Sequence, residues 1–208
     1  NGEVYNFLEL RSELELLGYW FRSQTDTEVV LYALAEWGVK AFDRFNGMFA
    51  LAFWDRKEKT LLLARDRYGI KPLYYAYFAQ TFLFGSEQKA ILAHPIAERQ
   101  LDKEALLEYF TFQNIFTDRT LLKNIKLLLP GHYGVISLNS SEPSHLKLTC
   151  YWDYRFRDPD GKVDIREYRE ELDRLLCQAV NRQLVADVEM GSYLSGGMDS
   201  GTLTALAA

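Results

Sequence analysis

The sequence predicts an α+β domain of helices layered on antiparallel strands, followed by the start of an α/β unit. Three observations carry that expectation. Apolar residues recur at helical spacing from Phe7 to Phe45. Short aromatic-rich segments separated by polar turns follow, from Met48 to Leu138. The chain then ends in a short apolar run, a Ser/Gly turn and a helical pattern.

The elements follow in order. Asn6 with Glu9 reads as a capping box ahead of Phe7, Leu10, Leu14 and Leu17, and Gly18 closes that helix. Thr25 with Glu28 repeats the device before Val30, Ala33, Leu34 and Trp37, with Gly38 as the stop. A short helix is expected over 40–45. Strands are expected over 48–54 and 60–64, joined by the polar stretch Asp55–Lys59 as a hairpin, then over 73–78 and 82–84. Residues 87–93 and 102–112 look helical, and 131–138 reads as a further strand. Residues 139–144 are polar and turn-rich, the best place for a linker. Between Arg155 and Arg174, 13 of 20 residues are charged, which makes most of that segment a solvated helix face. Tyr168, Leu172, Leu175, Leu176 and Ala179 would supply its buried stripe. A strand over 188–194 precedes the final turn and helix.

Composition narrows the function classes. With 208 residues, 48% hydrophobic and 25% charged, the chain has enough apolar surface to fold rather than stay disordered. Two Cys are too few for a disulfide scaffold, and no apolar run reaches the roughly 18 residues of a membrane span. A net charge of −5 and a pI near 5.3 argue against nucleic acid or anionic lipid as partners. No signal peptide pattern opens the sequence, and a cytoplasmic location is expected. A start at Asn1 rather than Met, and a final helix with no cap, read as a piece of a longer protein.

The sharpest local signal for chemistry is Ser195-Gly196-Gly197-Met198-Asp199-Ser200. A turn at a helix start offers unpaired N–H groups and a positive dipole end; two glycines allow close approach of an anion, and two hydroxyls add donors. The Lys of a Walker loop is missing. Asp199 beside a phosphate would require Mg²⁺ between them. The plain alternative is a Ser/Gly turn capping a helix.

Together the motifs resemble a known family. SGGMDS is similar to the pyrophosphate loop of N-type ATP pyrophosphatases, and Asn1-Gly2-Glu3-Val4-Tyr5-Asn6 resembles the NGEIYN motif of class II glutamine amidotransferase domains. Between them lie Thr25–Glu28, Arg44–Asp55, Ala64–Ala76, Phe84–Pro95, Pro130-Gly131-His132 and Tyr151-Trp152-Asp153. In that order they resemble glutamine-hydrolysing asparagine synthetases over essentially the whole chain.

That resemblance implies a four-layer αββα domain of the N-terminal-nucleophile hydrolase type over 1–138. A linker over 139–164 and the start of a parallel-sheet ATP pyrophosphatase domain over 165–208 would follow. It implies that the Asn1 side-chain amide and the Gly2 N–H form an oxyanion hole for glutamine, with Glu3 and Asp26 holding the substrate's ammonium group. The plain alternatives are a first-turn helix acid for Asp26 and a solvated loop charge for Glu3. It further implies that Leu194, Ser195, Gly196, Gly197, Met198, Asp199 and Ser200 bind ATP, with Mg²⁺ reached by Asp199 through pyrophosphate. Met198 stands where Leu is commoner, and Gly201 where Ser or Thr is frequent. Glutamine, ATP and aspartate are the implied small-molecule partners, and homodimerisation is an expectation for the full-length protein. The alternatives are a different carboxylate acceptor (a cell-surface sugar or a peptide) or a non-catalytic glutamine-sensing paralogue. The family's nucleophile is an N-terminal Cys, whereas Cys150 and Cys177 are internal, so the 208-residue chain is expected not to hydrolyse glutamine by itself. Arg65, Asp66, Arg67 and Lys71 read as a charged corner with internal ion pairs, Tyr74 and Tyr75 as strand packing, and His94 and His132 as structural histidines.

Overall fold

The computed structural model describes residues 1–138, 145–158, 161 and 164–208. They form two compact units, 1–153 and 154–208. The first unit runs β1 (Gly2–Val4), α1 (Phe7–Leu16), α2 (Asp26–Trp37), a 3₁₀ turn (Gly38–Lys40), α3 (Ala41–Arg44), β2 (Gly47–Asp55) and β3 (Thr60–Arg65). It continues with β4 (Tyr74–Phe78), β5 (Thr81–Gly85), α4 (Gln88–Leu92), α5 (Lys103–Phe112), β6 (Ile125–Leu127), β7 (His132–Ser137) and β8 (Lys147–Cys150).

All pairings are antiparallel. One sheet has the order β1-β2-β3-β7-β8 and the other β5-β4-β6. Side-chain alternation builds the layers. On β3, Leu62 and Ala64 face a core shared with Leu10 and Leu14 of α1, Val29 and Ala33 of α2, and Phe42 of α3. Leu61 and Leu63 face the opposite way, onto Tyr75, Tyr77 and Leu128, where the two sheets pack on each other. On β4, Ala76 and Phe78 turn to the outer side and pack with Ile91 of α4 and Ile125. The order through the unit is helices, sheet, sheet, helix, and the expectation of an α+β domain holds.

Local chemistry explains most boundaries. Thr25 caps α2 by accepting from Glu28 N, and Gly18 (φ +94°) and Gly38 (φ +56°) end α1 and α2. The β2–β3 hairpin closes where Asp55 Oδ1 accepts from Lys57 N (2.8 Å) and Glu58 N (3.0 Å). Asp102 caps α5 through Glu104 N and Ala105 N, both at 3.0 Å.

Several expectations need correction. Asn6 makes no cap hydrogen bond to α1. Its amide instead donates to Arg44 O (2.9 Å) and accepts from Asn46 N (2.8 Å), because bridging to the entry of β2 satisfies both ends of the side chain. The corner 65–71 is held by backbone groups rather than ion pairs. Asp66, fully buried, accepts from Phe49, Tyr68, Ile70 and Lys71 N–H, while Arg65 donates to the carbonyls of Gly69, Lys71 and Leu128. Burial favours this, since backbone groups supply the hydrogen bonds that water would otherwise give the Arg65 and Asp66 side chains. His132 Nδ1 lies 2.7 Å from Pro130 O and His94 Nδ1 accepts from Ile96 N, in keeping with structural roles.

Within the stretch read as a linker, residues 139–144, 159–160 and 162–163 lie outside the described residues. Lys147–Cys150 is a strand that pairs with β7, and Tyr151 packs against Phe42 and donates its hydroxyl to Arg65 O at 2.8 Å. The second unit contains α6 (Ile165–Gln183) and α7 (Met198–Ala207), which contact each other. Residues 188–194 form no strand, and Tyr168, Leu172 and Leu175 are exposed rather than buried. A parallel strand needs a neighbour in its sheet, and the described residues of this unit supply none.

Candidate functional site

β1 is an edge strand, and its register decides where its N–H groups point. Asn1 and Ala50 exchange both backbone hydrogen bonds, Asn1 N to Ala50 O at 3.1 Å and Ala50 N to Asn1 O at 2.8 Å. In an antiparallel ladder hydrogen-bonded pairs alternate with non-bonded ones. The next pair, Gly2 opposite Phe49, is therefore non-bonded, and the Gly2 N–H faces the open edge of the sheet. Val4, opposite Gly47, has the same orientation, and its N–H donates to Asp26 Oδ2 at 2.9 Å. Tyr5 N bonds Asn46 O at 2.8 Å, which continues the alternation.

Two glycines let β1 lie this close to β2. Gly2 has φ +136°, and a Cβ there would overlap Met48 O and sit 2.6 Å from Phe49 Cα. Across the ladder, a Cβ on Gly47 would overlap Glu3 O and lie 2.8 Å from Val4 Cα.

A cleft of about 100 Å³ opens at this edge, lined by Asn1, Gly2, Glu3, Val4, Asp26, Thr27, Val30, Phe49, Ala50 and Leu51. It brings together all four residues of the first unit singled out from the sequence: Asn1, Gly2, Glu3 and Asp26. Glu3 is exposed on the strand, and burial together with its carboxylate pushes the Tyr5 phenol up. Asp26 is the first residue of α2, so it is a first-turn acid and also a member of the cleft. Its Oδ2 is engaged by Val4, and Oδ1 accepts from Thr27 Oγ1 at 3.3 Å, leaving acceptor capacity on the cleft side. Chemically, the cleft pairs N–H donors at a strand edge with two carboxylates nearby. That set suits a cationic group at the acids and a polarised carbonyl at the donors.

Sequence inspection alone missed three contributors. Asn46 and Asn6 fix the far end of β1, and Ser86 Oγ lies 3.4 Å from Asn1 Nδ2. The second Asn of NGEVYN was the available signal for the first pair. Ser86 lies within the motif stretch Phe84–Pro95, but across 85 residues nothing tied it to Asn1.

In the second unit, Gly197 is the N-cap of α7 and Gly196 has φ +82°. Ser195 Oγ and Ser200 Oγ lie 2.9 Å apart, Ser195 N donates to Ser200 Oγ at 3.3 Å and Gly197 N to Ser195 Oγ at 3.4 Å. The Leu194, Met198 and Asp199 side chains are exposed. The turn thus has the hydroxyls, glycines and helix N-terminus that an anion cradle needs. Among the described residues no group of three or more His, Cys, Asp or Glu could hold a metal ion. Asp199 is a single carboxylate, which fits Mg²⁺ only when phosphates complete its shell.

A family model described as a glutamine amidotransferase domain matches residues 1–152. The chain belongs to that family. Beyond the amidotransferase domain, a model described as asparagine synthase matches residues 171–208. Asparagine synthetase [glutamine-hydrolyzing] 3 of Bacillus subtilis (strain 168) is 40% identical over 209 residues, covering 100% of this chain and 33% of the relative. Asparagine synthetase [glutamine-hydrolyzing] 1 of the same organism is 35% identical over 211 residues, covering 100% of this chain and 32% of the relative. The chain spans about a third of the length of these curated relatives. In fold it is similar to a solved allosteric regulatory enzyme of purine biosynthesis, with a TM-score of 0.50 and 17% identity, over 100% of this chain and 42% of that one. Among the described residues no helix is long and apolar enough to cross a membrane.

Proposed function

We propose that this chain is part of a glutamine-hydrolysing asparagine synthetase, in which ammonia from glutamine amidates aspartate at the expense of ATP. One observation carries it: Asn1, Gly2, Glu3 and Asp26 line a single cleft at the edge of β1, with the Gly2 N–H turned outward.

Glutamine enters with its ammonium group at Glu3 and Asp26 and its side-chain carbonyl at Asn1 and Gly2. A thiol nucleophile supplied from outside these residues attacks that carbonyl; the C–N bond then breaks, ammonia leaves carrying the thiol's proton, and water hydrolyses the thioester to glutamate and the free thiol. The Asn1 amide and the Gly2 N–H donate to the oxygen as it becomes an oxyanion, the kind of interaction that strengthens only in the transition state. Simple amides lacking the ammonium group lose the carboxylate contacts and are rejected. The layering supports a four-layer N-terminal-nucleophile hydrolase-type domain, and 154–208 would begin an ATP pyrophosphatase domain.

In that second part, Ser195, Gly196, Gly197 and Ser200 cradle the phosphates of ATP at the N-terminus of α7, with the Leu194 backbone beside the adenine. Asp199 would hold Mg²⁺ through the pyrophosphate, and the bound ion would neutralise phosphate charge. A carboxylate is a poor electrophile; adenylation turns it into an acyl-adenylate with AMP as leaving group. Ammonia displaces that AMP, giving asparagine, AMP and pyrophosphate.

The test is ATP–pyrophosphate exchange by the full-length protein with aspartate and with other carboxylates. Exchange that depends on aspartate supports the proposal. Exchange supported only by another carboxylate reassigns the acceptor, and none with any carboxylate refutes it.

A further inference from the structure

We propose that Ser86 is a positioning residue for the Asn1 carboxamide, holding its nitrogen so that one N–H stays directed at the reacting oxygen of glutamine. The inference rests on the assignment of Asn1 as an oxyanion donor.

Ser86 directly follows a strand of one sheet, and Asn1 directly precedes a strand of the other. Ser86 is the residue between Gly85, the last of β5, and Glu87, the N-cap of α4. Its backbone is set from both sides. Gly85 is in register opposite Tyr74, and Ala90 N bonds Glu87 O at 3.1 Å. The corner is tight, since a Cβ on Gly85 would come 3.3 Å from Ala90 Cβ. Asn1 is held independently by its paired bonds to Ala50. Two rigid supports thus bring Asn1 Nδ2 to 3.4 Å from Ser86 Oγ.

The chemistry gives this contact its meaning. A primary amide rotates about its Cβ–Cγ bond and can present either NH₂ or C=O to a neighbour. A carbonyl oxygen turned to the oxyanion would repel it, whereas an N–H stabilises it. With one N–H of Asn1 held by the Ser86 hydroxyl oxygen, the nitrogen is located and its second N–H is left to donate. A separation of 3.4 Å is long for this bond, and such contacts commonly shorten once substrate is bound. Ser86 is absent from the cleft lining, so it acts through Asn1 rather than on glutamine.

Steady-state glutamine hydrolysis by the full-length protein tests this, with Ser86→Ala, Ser86→Thr, Asn1→Ala and the Asn1→Ala/Ser86→Ala double variant. Ser86→Ala is expected to lower kcat roughly tenfold while the KM for glutamine and the thermal midpoint stay near wild type. Ser86→Thr, which keeps the hydroxyl, should restore most of the rate. In the Asn1→Ala background the same change should alter kcat by less than about twofold, because the two residues act as one. Equal losses in both backgrounds, or a raised KM with unchanged kcat, would overturn the proposal. An Asn1→Ala variant with wild-type kcat would instead refute the oxyanion assignment beneath it.

Discussion

Replacing Gly2 with alanine puts a methyl group where β1 and β2 are closest. The added carbon would overlap Met48 O and approach Phe49 Cα at 2.6 Å and Met48 C at 2.9 Å. These are backbone atoms, with Phe49 tied on its far side to Asp66 and the next residue, Ala50, paired with β3, so they cannot rotate away as a side chain would. If β1 stays in place, the φ of +136° costs about 1–3 kcal/mol for a residue with a Cβ. Crowding against fixed atoms adds about 1–3 kcal/mol. If β1 detaches instead, the ladder from Gly2 to Val4 is lost together with the burial of Val4, now 2% exposed and worth about 2 kcal/mol. Either route predicts a loss of about 2 kcal/mol or more. Urea unfolding of the 208-residue chain measures the loss, and amide exchange at Val4 distinguishes the routes by reporting whether its bond to Asp26 survives. Stability within about 0.5 kcal/mol of wild type, with Val4 protection unchanged, would refute the account of this edge.

Four further substitutions, at three residues, probe other links. Asp26→Asn retains an oxygen for the Val4 N–H but removes the charge, so stability should hold while the full-length protein's KM for glutamine rises about tenfold or more. Asp26→Ala should also destabilise by about 1–2 kcal/mol, because the buried Val4 N–H loses its acceptor; urea unfolding separates the two variants. Asp66→Ala should cost at least about 3 kcal/mol or prevent folding, since four backbone N–H groups around a fully buried site lose one shared acceptor. A midpoint near wild type would show that the 65–71 corner holds itself. Asp102→Ala should cost about 1 kcal/mol as a lost cap of α5. The Ala105 N–H first, then Glu104 N–H and Arg119, hold the Asp102 carboxyl below its usual range. Its contribution is therefore complete above the unfolded aspartate pKa and fades as pH falls through the lower folded value. The variant's stability should accordingly decline less steeply below about pH 4, as urea midpoints across an acid series would report.

Much of the fold was legible because the strands obey period two with large side chains. Tyr74 to Phe78 alternate between two cores, as do Leu61 to Ala64, and such runs are hard to satisfy any other way. The short strands β1, β6 and β8 were not legible. Three or four residues give no usable period, and they exist because a neighbouring strand offers unpaired groups. Asn6 carried a genuine capping signature but found better partners in Arg44 and Asn46, contacts that sequence spacing cannot display. Asp66 looked like one charge among several, and only its burial reveals that it organises a loop. The cleft itself was legible through motif order rather than spacing. Asn1 and Asp26 meet because Asp26 starts α2 and α2 packs beside β1, whereas the outward Gly2 N–H follows from register alone. The apolar run 188–194 shows the limit of reading a strand from its own residues, since pairing needs partners those residues do not contain.

The most direct measurement follows nitrogen. Full-length protein given amide-¹⁵N glutamine, aspartate and Mg-ATP should place ¹⁵N in the amide of asparagine, with one AMP formed for each label transferred. Label remaining in glutamine would contradict the assignment of the β1 cleft to glutamine, and label leaving as free ammonia while ATP stays unspent would contradict that of the 195–200 turn to ATP.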